Sequence, residues 1–168
     1  MQIQFADSLP LCPEFQPAVD VRCATPDLDG CLHRFFDTSP ISPSGSYLAV
    51  TRFRCENRLP APAETAEVVV VDLTTGEVDV VAETRGFETQ LGAQAQWGAT
   101  DREFFFNDTD TGRVWRPFAI VLDPLTGQRR ELQGPVYMAS RNGLLAASSC
   151  LLRTGAMQYD TVCLRRST

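Results

Sequence analysis

Glu67-Val-Val-Val-Val-Asp-Leu-Thr-Thr-Gly-Glu-Val-Asp-Val-Val81 and Phe118-Ala-Ile-Val-Leu-Asp-Pro-Leu-Thr-Gly-Gln-Arg-Arg-Glu-Leu132 share one layout. A β-branched or apolar run meets an aspartate, a short turn ends in Thr-Gly, and a second run of strand formers follows. Branched side chains favour extended backbone, the aspartate can fold back onto the turn amides, and glycine accepts the positive φ that closes the turn. Each segment therefore reads as a strand, a turn and a strand, with Asp72 and Asp123 as turn formers.

Working outward, each hairpin is preceded by another pair of apolar runs around a polar turn. These are Ser39-Pro-Ile-Ser-Pro-Ser-Gly-Ser-Tyr-Leu-Ala-Val-Thr-Arg52 and Ala95-Gln-Trp-Gly-Ala-Thr-Asp-Arg-Glu-Phe-Phe-Phe-Asn-Asp108. A third copy starts at Val136-Tyr-Met-Ala-Ser-Arg-Asn-Gly, where Asn142-Gly143 is a hairpin signal. Four strands recurring every 40 to 55 residues or so is the period of β-propeller blades. No long window carries apolar residues at a helical period with a cap, so the fold is expected to be all-β. The expected architecture is a β-propeller fragment of about two and a half four-stranded blades. Residues 1–32 form an irregular amino-terminal segment that wraps the first blade or adds an outer strand, and the blades fall at about 33–85, 86–134 and 135–168.

Composition narrows the function. The 168 residues carry 15 basic and 21 acidic side chains, a net charge of −6, which disfavours a nucleic-acid partner that needs Lys and Arg along the phosphates. Every basic residue is arginine, so lysine Schiff-base chemistry and a phosphate-loop lysine are excluded. No apolar run reaches the roughly 18 residues of a membrane-spanning helix, so no membrane association is expected. The opening Met-Gln-Ile-Gln-Phe-Ala-Asp lacks the basic and apolar regions of a secretory signal. That implies a cytoplasmic location, or a periplasmic or secreted one if the true amino terminus is missing. The six cysteines contain no Cys-x-x-Cys pair and the chain has one histidine, so free thiols are expected, with no metal and no cofactor.

Ser39-Pro-Ile-Ser-Pro-Ser-Gly45 and the apolar strand after it resemble the signature of TolB-like, WD40-like propeller blades, over about residues 33–150. His33-Arg-Phe-Phe-Asp-Thr-Ser-Pro-Ile-Ser-Pro-Ser-Gly45 with Thr89-Gln-Leu-Gly-Ala-Gln-Ala-Gln-Trp-Gly98 is similar to the amino-terminal blades of propeller polysaccharide lyases of the ulvan and oligogalacturonate type. Those lyases are complete rings, usually of about seven blades. The resemblance implies β-elimination on uronate-containing glycans, in which a base removes the proton beside a carboxylate that a cation neutralises. It places His33, Arg34 and Arg58 as catalytic candidates and Arg54, Gln94, Gln96, Trp115 and Arg116 as substrate-binding candidates. A chain this short reads as a truncated or degenerate relative, inactive alone. The alternative is a non-catalytic propeller module that binds a protein or a glycan. The implied partners are an anionic polysaccharide or a protein, with self-association through uncovered blade faces.

Other signals are weaker. Asn107-Asp-Thr-Asp-Thr-Gly112 suits a hard cation in residue type, but the glycine and the position-twelve residue, Ala119, do not fit an EF-hand, so a solvated turn is preferred. Ser42-Pro-Ser-Gly45 lacks the nucleophile-elbow pattern of serine hydrolases. Trp97 reads as core between blades, and Phe104-Phe-Phe106 as a buried strand. Circular dichroism of the purified chain should be strand-dominated; a helix content above about a third, the globular average, would contradict the repeat.

Overall fold

The structure, a computed structural model, describes residues 4–149. Most of the expected third blade, with Cys150 and Cys163, lies outside the described residues. Apart from a 3-10 turn at Pro13–Phe15, every regular element described is a strand. The first sheet holds β1 (Cys31–Leu32), β2 (Tyr47–Arg52), β3 (Ala66–Asp72) and β4 (Val78–Thr84), in that order. The second holds β5 (Gln96–Trp97), β6 (Phe104–Asp110), β7 (Arg116–Leu122) and β8 (Arg129–Leu132), again in order. A two-stranded sheet of β9 (Met138–Ala139) and β10 (Ala146–Ala147) follows. All pairings are antiparallel. The molecule is thus all-β, with four-stranded antiparallel sheets; among the described residues no sheet closes on itself.

The two hairpins are built alike. Asp72 Oδ1 accepts the Thr74 and Thr75 amides at 2.8 and 3.1 Å, and the Gly76 amide closes onto the Asp72 carbonyl at 2.7 Å. Asp123 Oδ1 accepts the Leu125 amide at 3.0 Å, and the Gly127 amide closes onto the Asp123 carbonyl at 2.8 Å. Both glycines sit at positive φ, 77° and 74°, where a side chain would be strained. Burial pushes the Asp72 carboxyl up, but the hydrogen bonds from Thr74 and Thr75 outweigh it and the net direction is down.

Alternate residues of each strand serve opposite faces. From the first sheet Ala49, Ala66, Val68 and Val70 meet Phe104, Phe106, Phe118, Ile120 and Leu122 of the second, with Trp97 at one end. Trp97 stacks at 4.9 Å on Phe104 and donates its indole N–H to the Pro40 carbonyl at 2.9 Å, so it is interior. On the far side of the second sheet, Phe105, Ala119 and Val121 pack against Val136, Leu132 and Ala139. The outer face of the first sheet, Val50, Val69 and Val71, is covered by Ala6, Leu9, Ala24 and Leu28 of the amino-terminal segment.

Buried polar groups lock the stack. Thr51 and Asn107 stand four residues beyond Tyr47 and Glu103, whose carbonyls accept equivalent turn amides from Ser42 and Gly98. Thr51 Oγ1 accepts the Ala93 amide at 2.9 Å; Asn107 Oδ1 accepts the Val136 amide at 2.8 Å, and its Nδ2 donates to the Val136 carbonyl at 3.0 Å. At matching positions, then, a side chain of one sheet's second strand holds the backbone that begins the next unit. Phe106→Ala should lower unfolding stability by about 3–5 kcal/mol in urea titrations, whereas Phe36→Ala, 86% exposed, should change it by less than about 0.5 kcal/mol.

Candidate functional site

The connection after β2 runs beside β1 and leaves a cleft of about 580 Å³. Cys31, Leu32, Phe53, Leu59 and Pro60 supply its apolar wall, and Cys55, Glu56, Arg58 and Thr89 its polar one. All four described cysteines, Cys12, Cys23, Cys31 and Cys55, are free thiols. Burial pushes the Cys31 thiol up and outweighs a hydrogen bond to Thr25 and the Arg52 charge, which act in the opposite direction.

Ion pairs within the chain occupy the arginines around this cleft. Arg58 makes a two-pronged pair with Glu64, Nη1 to Oε2 at 2.8 Å and Nη2 to Oε1 at 2.7 Å. Glu64 Oε2 also accepts the Ala61 amide at 2.7 Å, so one carboxylate organises residues 58–64. Arg54 bonds to Glu67 of β3 at 3.1 Å and to Glu83 of β4, while Arg52 reaches the other Glu67 oxygen at 3.1 Å. This network fastens the loop across three strands.

His33 follows β1, is exposed, and makes no side-chain hydrogen bond or ion pair among the described residues. Arg34, the next residue, is 2% exposed. It donates to Asp37 at 3.2 Å and lies under the Tyr137 ring, 4.8 Å from its centroid. Gln94 and Gln96 are both buried. Gln96 is fully employed: Oε1 accepts the Ala139 amide at 2.7 Å, and Nε2 donates to the Gln94 and Tyr137 carbonyls at 3.0 and 3.3 Å. Trp115 is half-buried in the β6–β7 connection, and the Arg116 guanidinium lies 5.3 Å from the Phe118 ring centroid. Among the described residues no hydrogen bond, ion pair or ring contact joins Trp115 or Arg116 to His33, Arg34 or Arg58. The candidates therefore divide: Arg58 lines the cleft, Arg34, Gln94 and Gln96 are buried, and Trp115 and Arg116 stand at the start of β7.

Asp108 serves the backbone, since its Oδ1 accepts the Arg85 and Thr109 amides at 2.8 Å each and the Thr84 hydroxyl at 3.1 Å. Sequence reading did not single out Tyr137, or the exposed pair Phe35 and Phe36, whose rings lie 4.5 Å apart beside His33. Tyr137 stands two residues after a proline and carries no pattern that marks its role. Among the described residues no helix is long and apolar enough to cross a membrane. No family model, curated protein or solved structure matches the chain.

The hydrogen bonds from Arg58, and secondarily from the Ala61 amide, hold the Glu64 carboxyl down at about 2 against an ordinary 4.5. A carboxylate depressed in the folded state favours folding above its unfolded value and loses that contribution as pH falls through its folded one. The support that Glu64 gives the 58–64 loop should be complete above pH 4.5 and disappear toward pH 2. Carboxyl-carbon NMR should place the Glu64 titration well below the other glutamates; a midpoint near the ordinary value would refute the pairing.

Proposed function

We propose that the chain is a propeller-type binding module, a degenerate relative of the ulvan and oligogalacturonate lyases, that holds an anionic glycan without cleaving it. Repeated four-stranded sheets, stacked through equivalent polar clamps, support the propeller reading. The observation that carries the non-catalytic reading is the pairing of the arginines. β-Elimination needs a cation free to neutralise a uronate carboxylate beside a base. Arg54 and Arg58 are committed to Glu67, Glu83 and Glu64, Arg34 is bonded to Asp37 and buried against the Tyr137 ring away from the cleft lining, and His33 has no partner among the described residues that would orient it. A cleft with an apolar wall and a few polar groups suits binding.

The exposed Phe35–Phe36 pair favours a second reading, a protein partner docked on the loop after β1, since contiguous exposed aromatics commonly mark such contacts. Incubation with ulvan and with oligogalacturonates, followed by the far-ultraviolet absorbance of unsaturated uronate, should show no product. Retention on immobilised polygalacturonate should be measurable and should weaken with salt. Product formation that disappears in His33→Ala would establish an enzyme instead, and absence of retention would favour the protein partner.

A further inference from the structure

We propose that a groove at the outer edge of the second sheet, separate from the rim cleft, binds the carboxylate of a sugar acid, with Arg129 and Arg116 as the cations and Glu131 as the group that restricts the ligand to a single charge. The groove, about 240 Å³, is lined by Asp108 of β6, Phe118 and Ile120 of β7, and Arg129, Arg130 and Glu131 of β8. Register sets its charges on one face. Phe118 pairs with Asp108, Ile120 with Glu131 and Leu122 with Arg129. Phe118, Ile120 and Leu122 belong to the core between the two sheets, so the exposed Arg129 and Glu131 stand at the margin of that layer. Arg116, two residues before Phe118, holds its guanidinium 5.3 Å from the centroid of the ring that floors the groove.

These two arginines lack an internal anion. Arg34, Arg52, Arg54, Arg58 and Arg102 are each paired with a carboxylate. The side chains of Arg116 and Arg129 make no hydrogen bond or ion pair among the described residues, in a chain with 21 acidic side chains against 15 basic ones. Unpaired cations flanking a concavity with an apolar floor focus positive potential there and draw an anion from solution. The lining then selects among anions. Asp108 Oδ1 is taken by the Arg85 and Thr109 amides and the Thr84 hydroxyl, which leaves Glu131 as the carboxylate of the lining without a bond among the described residues. Glu131 repels a second negative charge, which disfavours phosphate, and accepts a hydroxyl, which a sugar ring supplies. The planar fork of arginine matches a carboxylate, and the volume, below the roughly 300 Å³ at which drug-sized sites begin, suits one sugar unit. Position and selectivity stand on the groove's own side chains; only the assignment of the carboxylate to a glycan rests on the reading above.

Titration of the full chain with galacturonate at neutral pH and fixed ionic strength, followed by NMR through the arginine side-chain Nε–H signals, tests the groove residue by residue. The Arg129 and Arg116 signals should move along one saturation curve, and galactose, which keeps the ring but lacks the charge, should move neither. Arg129→Gln should weaken galacturonate about tenfold or more, the worth of one charge-assisted contact. Arg141→Gln, which removes an equal charge in the β9–β10 turn, should change it less than about twofold. Glu131→Gln should strengthen inorganic phosphate about fivefold or more, the Coulomb cost of one neighbouring carboxylate. Arg129 and Glu131 are exposed, so neither substitution enters the core. The Arg58 signal reports the rim cleft separately. Failure of Arg129 and Arg116 to move would overturn the groove, and movement of Arg58 in their place would leave the glycan reading standing. Movement of Arg129 and Arg116 in a chain that polygalacturonate does not retain would uphold the groove and overturn the glycan reading. An equal response to galactose, or a Glu131→Gln variant that takes phosphate no better, would also overturn the site as described. Tighter binding of oligoglutamate than of galacturonate would overturn it in favour of an acidic peptide.

Discussion

The third strand of each four-stranded sheet is apolar on both faces through its middle, and the architecture follows from that constraint. Val68 to Val71 in β3 and Phe118 to Leu122 in β7 are buried without interruption. Successive strand residues point to opposite sides, so such a strand forces its sheet to be covered twice. The first sheet takes the second on one face and the amino-terminal segment on the other. The second sheet takes the first on one face and the start of the third unit on the other. Stacking is the arrangement that leaves neither valine-rich nor phenylalanine-rich face in water.

Apolar burial alone does not set register between sheets, because it lacks direction. Direction comes from Thr51, Asn107, Gln96 and Trp97, whose polar atoms each reach backbone of a neighbouring unit. An amide such as that of Asn107, which holds both the N–H and the carbonyl of Val136, acts as one rung of a β-ladder supplied by a side chain. Misplacing it would leave buried donors and acceptors unpaired, which is costly in a dry interior. The same demand makes Arg34 and Gln94 conspicuous, since Arg34 Nε and Nη1 and Gln94 Oε1 are the buried side-chain atoms left without a hydrogen-bond partner among the described residues.

The repeated hairpins were legible in the sequence because their signals are local: Asp, Thr-Gly and the flanking β-branched runs act within a few residues. Phe104 to Phe106 were legible as interior for the same reason. That residues 1–32 wrap the first unit or add an outer strand was expected; which of them make the cover was not legible, because Ala6, Leu9, Ala24 and Leu28 follow no period and meet only through tertiary packing. Nor could sequence show that Arg54 and Arg58 meet glutamates 6 to 29 residues away, or that Arg34 is buried beneath a tyrosine 103 residues on. The arginines were visible as chemistry; their commitments were not. Those commitments are the support for proposing binding over elimination.

The central claim is that the first sheet depends on the chain's own amino-terminal segment for its second cover. Leu9 is 2% exposed over Val50, Val69 and Val71, so Leu9→Asp would place a charge in that layer. Native-state hydrogen exchange, followed peptide by peptide, tests the claim directly. The account predicts that Leu9→Asp accelerates exchange of the amides of β2, β3 and β4 well beyond those of β6 and β7, because only the first sheet loses its cover. Exchange unchanged in β3, or accelerated equally in both sheets, would contradict it.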